Sequence, residues 1–190
     1  MKEKSKLMID EFLQTIPAEY HEVFSELAEY ADNLGYTPKK NKTKHLSIDF
    51  SKNKIKRTIM KIETHDNGTK SNPPGLRLKF YANDNYSNLF QDGIKRVIEA
   101  FDGRYTGCYG CGFCKDGTEG YTYIYPDGKK VFRCGRELIA VYGFNEKHLD
   151  EMKRLMKVQD DFWVSAVRIT NSFTPPAPAS PKPPRPPRSR

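Results

Sequence analysis

With 190 residues, the chain has the length of one domain with an extension. Its hydrophobic fraction of 37% is low and its charged fraction of 29% slightly high for a globular protein, yet its periodic apolar segments exclude disorder throughout. No apolar run nears the roughly 18 residues that span a bilayer, and Met1 to Asp10 lacks the continuous apolar stretch of a secretory signal. The expectation is a cytoplasmic protein with no membrane partner, in a compartment that disfavours a disulfide framework.

The elements follow in chain order. Met8, Phe12 and Ile16 lie four apart and predict a short amphipathic helix ending before Pro17. A second helix starts near Pro17 with the stripe Tyr20, Val23, Phe24, Leu27, Ala31 and Leu34, and Gly35 stops it. From Lys44 the period changes to two. Leu46, Ile48 and Phe50 alternate with polar residues, as do Met60 with Ile62 and Leu76 with Leu78 and Phe80, which predicts three strands. Ile55 and Ile59 blur the middle one, which suggests burial on both faces. Ser51 to Lys54 and Asp66 to Gly75 read as connections, short enough for antiparallel pairing.

A third helix carries Phe90, Ile94, Val97, Ile98 and Phe101 on one face and ends before Gly103. After a cysteine loop, Tyr121 to Tyr125 and Val131 to Cys134 flank the turn residues Pro126-Asp-Gly-Lys129, a predicted hairpin. Leu138 to Tyr142 reads as one more short strand. A last helix runs from about Glu146, capped by Asn145, with Leu149, Met152, Leu155, Met156, Phe162 and Trp163 facing inward. Eight of the 13 prolines fall after Asn171; such a segment has no apolar face to pack and is expected to be extended. Its Pro-x-x-Pro pairs with nearby arginines suit either an SH3-type ligand or an extension without a role.

All four cysteines belong to one group. Cys108, Cys111 and Cys114 lie at Cys-x2-Cys-x2-Cys spacing, and Gly107, Gly110 and Gly112 let the backbone wrap around a small centre. Cys134 follows 19 intervening residues, at the end of the predicted hairpin's second strand. A hairpin returns the chain to its starting end, so four thiolates can converge. This donor set suits a closed, structural tetrahedral zinc site. A [4Fe–4S] cluster also suits three close cysteines with a remote fourth, although Cys134 is neither near the others nor followed by Pro. A redox pair at Cys111 and Cys114 lacks the following helix that such motifs use, and unpaired thiols are the plain alternative. Deaminase and zincin motifs are missing, and His21, His45, His65 and His148 stand apart from one another.

The net charge of +8 is unevenly placed. Between Lys39 and Lys61 there are nine Lys/Arg and one acid, Asp49; the last twenty residues add four basic residues and no acid, which leaves −4 for the rest. Lys40, Lys42, Lys54 and Lys56 flank one predicted strand and suggest a positive rim that meets phosphates. Tyr81, Tyr86, Tyr121 and Tyr123 offer stacking faces for bases. The same lysines also suit a solvated edge strand, where they discourage edge-to-edge pairing.

Phe12-Leu-Gln-Thr-Ile-Pro17, Leu34-Gly-Tyr-Thr-Pro38, Leu78-Lys-Phe-Tyr81, the cysteine triplet and Tyr125-Pro-Asp-Gly128 leading to Arg133-Cys-Gly135 carry a resemblance. Through them the body from Leu7 to Trp163 resembles small uncharacterised proteins of anaerobic, low-GC Gram-positive bacteria. The order of helices and sheet is also similar to the bacterial frataxin-like domain of unknown function, which lacks the cysteines. Neither implies catalytic residues.

Together these features predict an α+β fold: an antiparallel curved sheet packed by helices, with a cysteine-rich metal-binding loop and β-hairpin. One domain is expected over residues 1–168, its metal site within 107–135, and a disordered Pro/Arg-rich tail over 169–190. The expected function is a metal-stabilised binding module with a structural zinc on Cys108, Cys111, Cys114 and Cys134, and a nucleic acid or protein partner at the basic region. The alternative is a redox or iron-handling protein with an iron–sulfur cluster on the same cysteines. No recognisable catalytic motif is present, which favours a non-enzymatic role.

Overall fold

The computed structural model describes residues 1–43, 45–64, 73–100, 107–108, 114 and 119–172. Lys44, His65, the Asp66 to Asn72 stretch, Phe101, Gly103, Gly110, Cys111, Gly112 and the Pro-rich segment after residue 172 lie outside them.

Helix α1 (Glu3–Leu13) buries Ile9 and Phe12. After Pro17, a single 3-10 turn (Ala18–Tyr20) leads into helix α2 (His21–Asn33), which buries Val23, Phe24, Leu27, Ala28 and Ala31. That spacing sets one apolar stripe on a 3.6-residue helix. Phe24 meets Phe12 edge to face at 5.2 Å, which joins the two helices. Gly35 ends the run with φ of +87°, a left-handed conformation that glycine adopts without a Cβ clash.

The strands are β1 (Thr37–Lys40), β2 (Ser47–Lys52), β3 (Arg57–Glu63), β4 (Gly75–Leu78), β5 (Gly120–Ile124), β6 (Lys130–Cys134) and β7 (Ile139–Val141). Helix α3 (Asn88–Glu99) lies between β4 and β5, and helix α4 (Leu149–Ser172) ends the described chain. Five strands form one antiparallel sheet in the order β1-β2-β3-β4-β7, and β5 pairs with β6 in a separate hairpin. The fold is α+β.

The register sorts the sheet into two faces. Ile48, Ile62, Leu76 and Val141 stand in one cross-strand row, and Phe50, Met60, Leu78 and Ile139 in the next. These rows join residues of all four helices in one core. The alternate row runs Lys39, Asp49, Lys61, Arg77 and Ala140, so the opposite face is polar. Between Phe50 and Ser51 the pairing shifts, which leaves Ile59 as an extra residue in β3. Ile59 and Met60 are therefore both buried, and this bulge is what blurs the alternation in the sequence.

Three expectations change. Thr37–Lys40 is a strand, although Pro38 and two lysines give it no apolar alternation; it sits at the sheet edge, where proline is tolerated. Phe162 does not face inward with Trp163: it is 40% exposed against 3% for Trp163. Successive residues on a helix point about 100° apart, and Trp163 takes the core side. Helix α4 also runs past residue 168, to Ser172.

Candidate functional site

The β5–β6 hairpin is built to reach the end of the main sheet. Gly128, with φ of +82°, closes its turn. Tyr121 on β5 is buried in the core, where its hydroxyl oxygen accepts a hydrogen bond from the Phe80 backbone N–H at 3.2 Å. Gly120 lies opposite Cys134, and a Cβ at Gly120 would come within 2.3 Å of the Arg133 carbonyl oxygen. Any side chain there would push β5 off β6.

This hairpin organises the cysteine run. The Gly107 N–H donates to the Phe132 carbonyl at 2.9 Å and makes a parallel bridge to Arg133. With β5 on its other edge, β6 thus holds the entry to the loop, and Cys108 follows immediately in an exposed position. At the exit, the Glu119 N–H donates to Cys114 Sγ at 3.3 Å, and the Glu119 carbonyl accepts from the Gly135 N–H at 2.9 Å. The backbone of one residue, Glu119, therefore links Cys114 to the residue after Cys134. Cys134 itself is 2% exposed, and both thiols line a cavity of about 290 Å³. No disulfide joins Cys108, Cys114 and Cys134. Cys111 lies outside the described residues. Among the described residues, no group of three or more His, Cys, Asp or Glu is placed to hold a metal ion.

The charged residues on the rest of the cavity wall are mostly cationic. Lys56, Arg57, Lys79 and Arg136 line it together with Glu119. Tyr81 donates its hydroxyl to Glu119 Oε2 and accepts from Trp163 Nε1–H at 2.6 Å. Arg57 Nη2 lies 3.5 Å from Glu119 Oε2, and its guanidinium lies 5.7 Å from the centre of the Trp163 ring. Burial, and then the hydrogen bond to the Glu119 carboxylate, push the Tyr81 phenol well above its ordinary value. The phenol stays protonated and acts as a fixed donor to Glu119. Gly135 completes the packing, because a Cβ there would lie 2.6 Å from the Tyr81 ring.

Lys79 is 8% exposed, and its Nζ donates to the Arg136 carbonyl oxygen at 2.7 Å. Burial, and then the nearby Arg57, push its ammonium down to about 8. Nothing in the sequence marks this residue. It sits between Leu78 and Phe80 at the end of an alternating strand, where an outward lysine is the ordinary reading. Nor does the sequence mark Glu119 or Arg136, although Arg136 follows Cys134 by two positions; Arg57 belongs to the basic run that starts at Lys52.

The four lysines of the basic region occupy two places. Lys40 on β1 lies level with Ile48, where its Nζ pairs with Glu11 Oε1 at 2.6 Å, and Lys42 is exposed just beyond. Lys54 and Lys56 lie in the turn after Lys52, at the far end of β2. The length of β2, roughly 15 Å, separates the pairs. Only Lys56 lines the cavity, and it holds a φ of +51°. Of the tyrosines, Tyr121 is buried, which removes it as a stacking face, and Tyr81 is tied to Glu119 and Trp163. His21 and His148 bond locally, to Ile16 and Asn145 respectively.

No family model, curated protein or solved structure matches the chain.

Proposed function

We propose that the chain is a metal-stabilised binding module in which Cys108, Cys111, Cys114 and Cys134 hold one structural zinc. The observation that carries this reading is the backbone of Glu119, whose N–H meets Cys114 Sγ while its carbonyl holds Gly135 beside Cys134. Backbone N–H groups aimed at sulfur are the outer-shell contacts that hold a metal-bound thiolate in place.

The donor chemistry fits. The absence of a disulfide among Cys108, Cys114 and Cys134 suits a reducing cytoplasm, and four thiolates form the ordinary closed set for zinc. A zinc held by four thiolates carries two negative charges in excess. Lys79 and Arg57 lie where they offset them, beside Cys134 and Glu119. When bound, the ion supplies a cross-link between the loop and β6. The residues themselves do the rest: Gly107 docks the loop entry, Tyr121 anchors the hairpin, and Glu119 fixes the exit.

One observation favours a second reading, an iron–sulfur cluster on the same cysteines. A cavity of about 290 Å³ has more room than a single ion takes.

Metal analysis and absorbance of protein purified with and without oxygen test both. The zinc reading expects a colourless protein with one zinc per chain, lost in Cys134→Ser. A brown protein containing iron and sulfide favours the cluster. Four thiols that all react freely, with no metal bound, overturn the shared site.

A further inference from the structure

We propose that the cavity beside Cys114 and Cys134 is a binding site for a phosphoryl group, held by Lys79 from within and by Arg136 and Lys56 at its rim.

Charge is the first ground. Among the described lining residues, Lys56, Arg57, Lys79 and Arg136 are accompanied by one acid, Glu119, which already engages Tyr81 and Arg57; Glu137 lies near Lys79 outside the lining. Lys79 and Arg136 line the cavity whether or not a metal is bound, so the inference does not rest on the metal. A second ground is Lys79. It is more than nine-tenths buried, it makes no ion pair among the described residues, and its hydrogen bond to the Arg136 carbonyl uses one of three ammonium donors. A buried ammonium is costly unless an anion and further acceptors compensate it. The cavity onto which it opens is where such an anion fits.

Lys56 supplies the third ground. It adopts a left-handed backbone conformation that a residue with a side chain rarely takes, and it does so on the cavity wall. Strain of this kind persists where the surroundings or a function require it. The ligand class follows from the count. Cationic residues from the β2–β3 turn and the start of β3, from just after β4 and from just after β6 line one cavity, which suits the charge and the several oxygens of a phosphate better than a carboxylate. The volume exceeds the need of inorganic phosphate, which leaves room for the group that bears it.

Two sources share this chemistry, a small phosphorylated molecule and a nucleic-acid backbone. The test is titration calorimetry on the full chain at low ionic strength, with inorganic phosphate, adenosine monophosphate and a short single-stranded oligonucleotide as probes, and metal content measured on every sample. We expect binding that weakens about tenfold or more in Lys79→Met and in Arg136→Gln. Circular dichroism and melting curves identify any variant that fails to fold, and the other then decides. Binding of phosphate and the mononucleotide alone assigns a small ligand; binding of the oligonucleotide alone assigns a backbone phosphate. Phosphate binding with the same Lys79 dependence in metal-free Cys134→Ser protein keeps the anion site whatever becomes of the zinc reading. No binding of any probe to the wild type, or binding indifferent to both substitutions, overturns the proposal.

Discussion

The phenol of Tyr36 donates a 2.8 Å hydrogen bond to Asp160 Oδ1 across 124 residues of chain. Lys52 Nζ reaches the same oxygen at 2.6 Å while lying 5.0 Å from the centre of the Tyr36 ring. This trio ties α4 to β2 and to the residue before β1. Burial, and then the hydrogen bond to Asp160, push the Tyr36 phenol far above its ordinary value, so it remains a donor.

Removing the acceptor leaves Lys52 without its carboxylate and Tyr36 without a partner. Asp160→Ala is therefore expected to cost about 3–5 kcal/mol, the usual effect of breaking a buried pair from one side. Tyr36→Phe leaves Lys52 paired and is expected to cost about 1 kcal/mol. Urea unfolding of both variants checks the order; equal costs would show that the phenol, not the ion pair, holds α4.

Lys56 gives a prediction with opposite signs in two measurements. A left-handed backbone costs a side-chain-bearing residue about 1–2 kcal/mol, and glycine removes that cost while adding about 0.5–1 kcal/mol of unfolded-state entropy. Lys56→Gly is expected to stabilise the fold by up to about 1 kcal/mol and to weaken phosphate binding. Chemical denaturation and calorimetry on one preparation read both.

The polar face of the sheet predicts a pH effect. Glu63 accepts from Lys61 at 2.6 Å and from Arg77 at 2.8 Å. Burial alone would raise its carboxyl, but hydrogen bonds from Lys61 and Arg77 outweigh that and hold it below its ordinary value. A carboxyl depressed in the folded state stabilises fully above its unfolded value of about 4.3, and the contribution is lost as pH falls through the lower folded value. Glu63→Gln should thus be less stable than the wild type at neutral pH, and the gap should close as pH falls below the unfolded value and through the lower folded one. A gap that persists in acid would point to packing instead of charge.

Metal removal is expected to act locally. The large core is made by α1, α2, α3, α4 and the five-stranded sheet, with Tyr121 as the contribution of the hairpin strands to its buried set. Chelation or Cys134→Ser should speed hydrogen exchange at Gly107, Glu119 and Gly135, whose amides make the contacts around the cysteines. Amides of α2 and α4 should stay protected. Unfolding of the whole chain on chelation would show that the metal supports the core itself.

Most of the fold was legible because its signals are local. The stripe from Val23 to Ala31, the alternation in β2 and β4, the turn at Gly128 and the stop at Gly35 each follow from spacing or from one residue's backbone freedom. The hairpin reading also placed Cys134 at the strand end, opposite Gly120, because an antiparallel return sets that geometry by residue count. Local spacing misled at Phe162 and Trp163, where both neighbours are apolar and only the packing of Tyr81 and Arg57 against Trp163 selects the inward one.

The sequence by itself determined the helices, the strand faces and the position of Cys134. Tertiary structure alone decided that Thr37–Lys40 joins the sheet as its edge, that β7 pairs with β4, and that Lys79 is buried beside Cys134 with Arg57 and Arg136 around it. Periodicity reports which way a side chain points from its own strand; whether that direction ends in water or under a hairpin contributed from forty residues further on is set by contacts that no local pattern encodes.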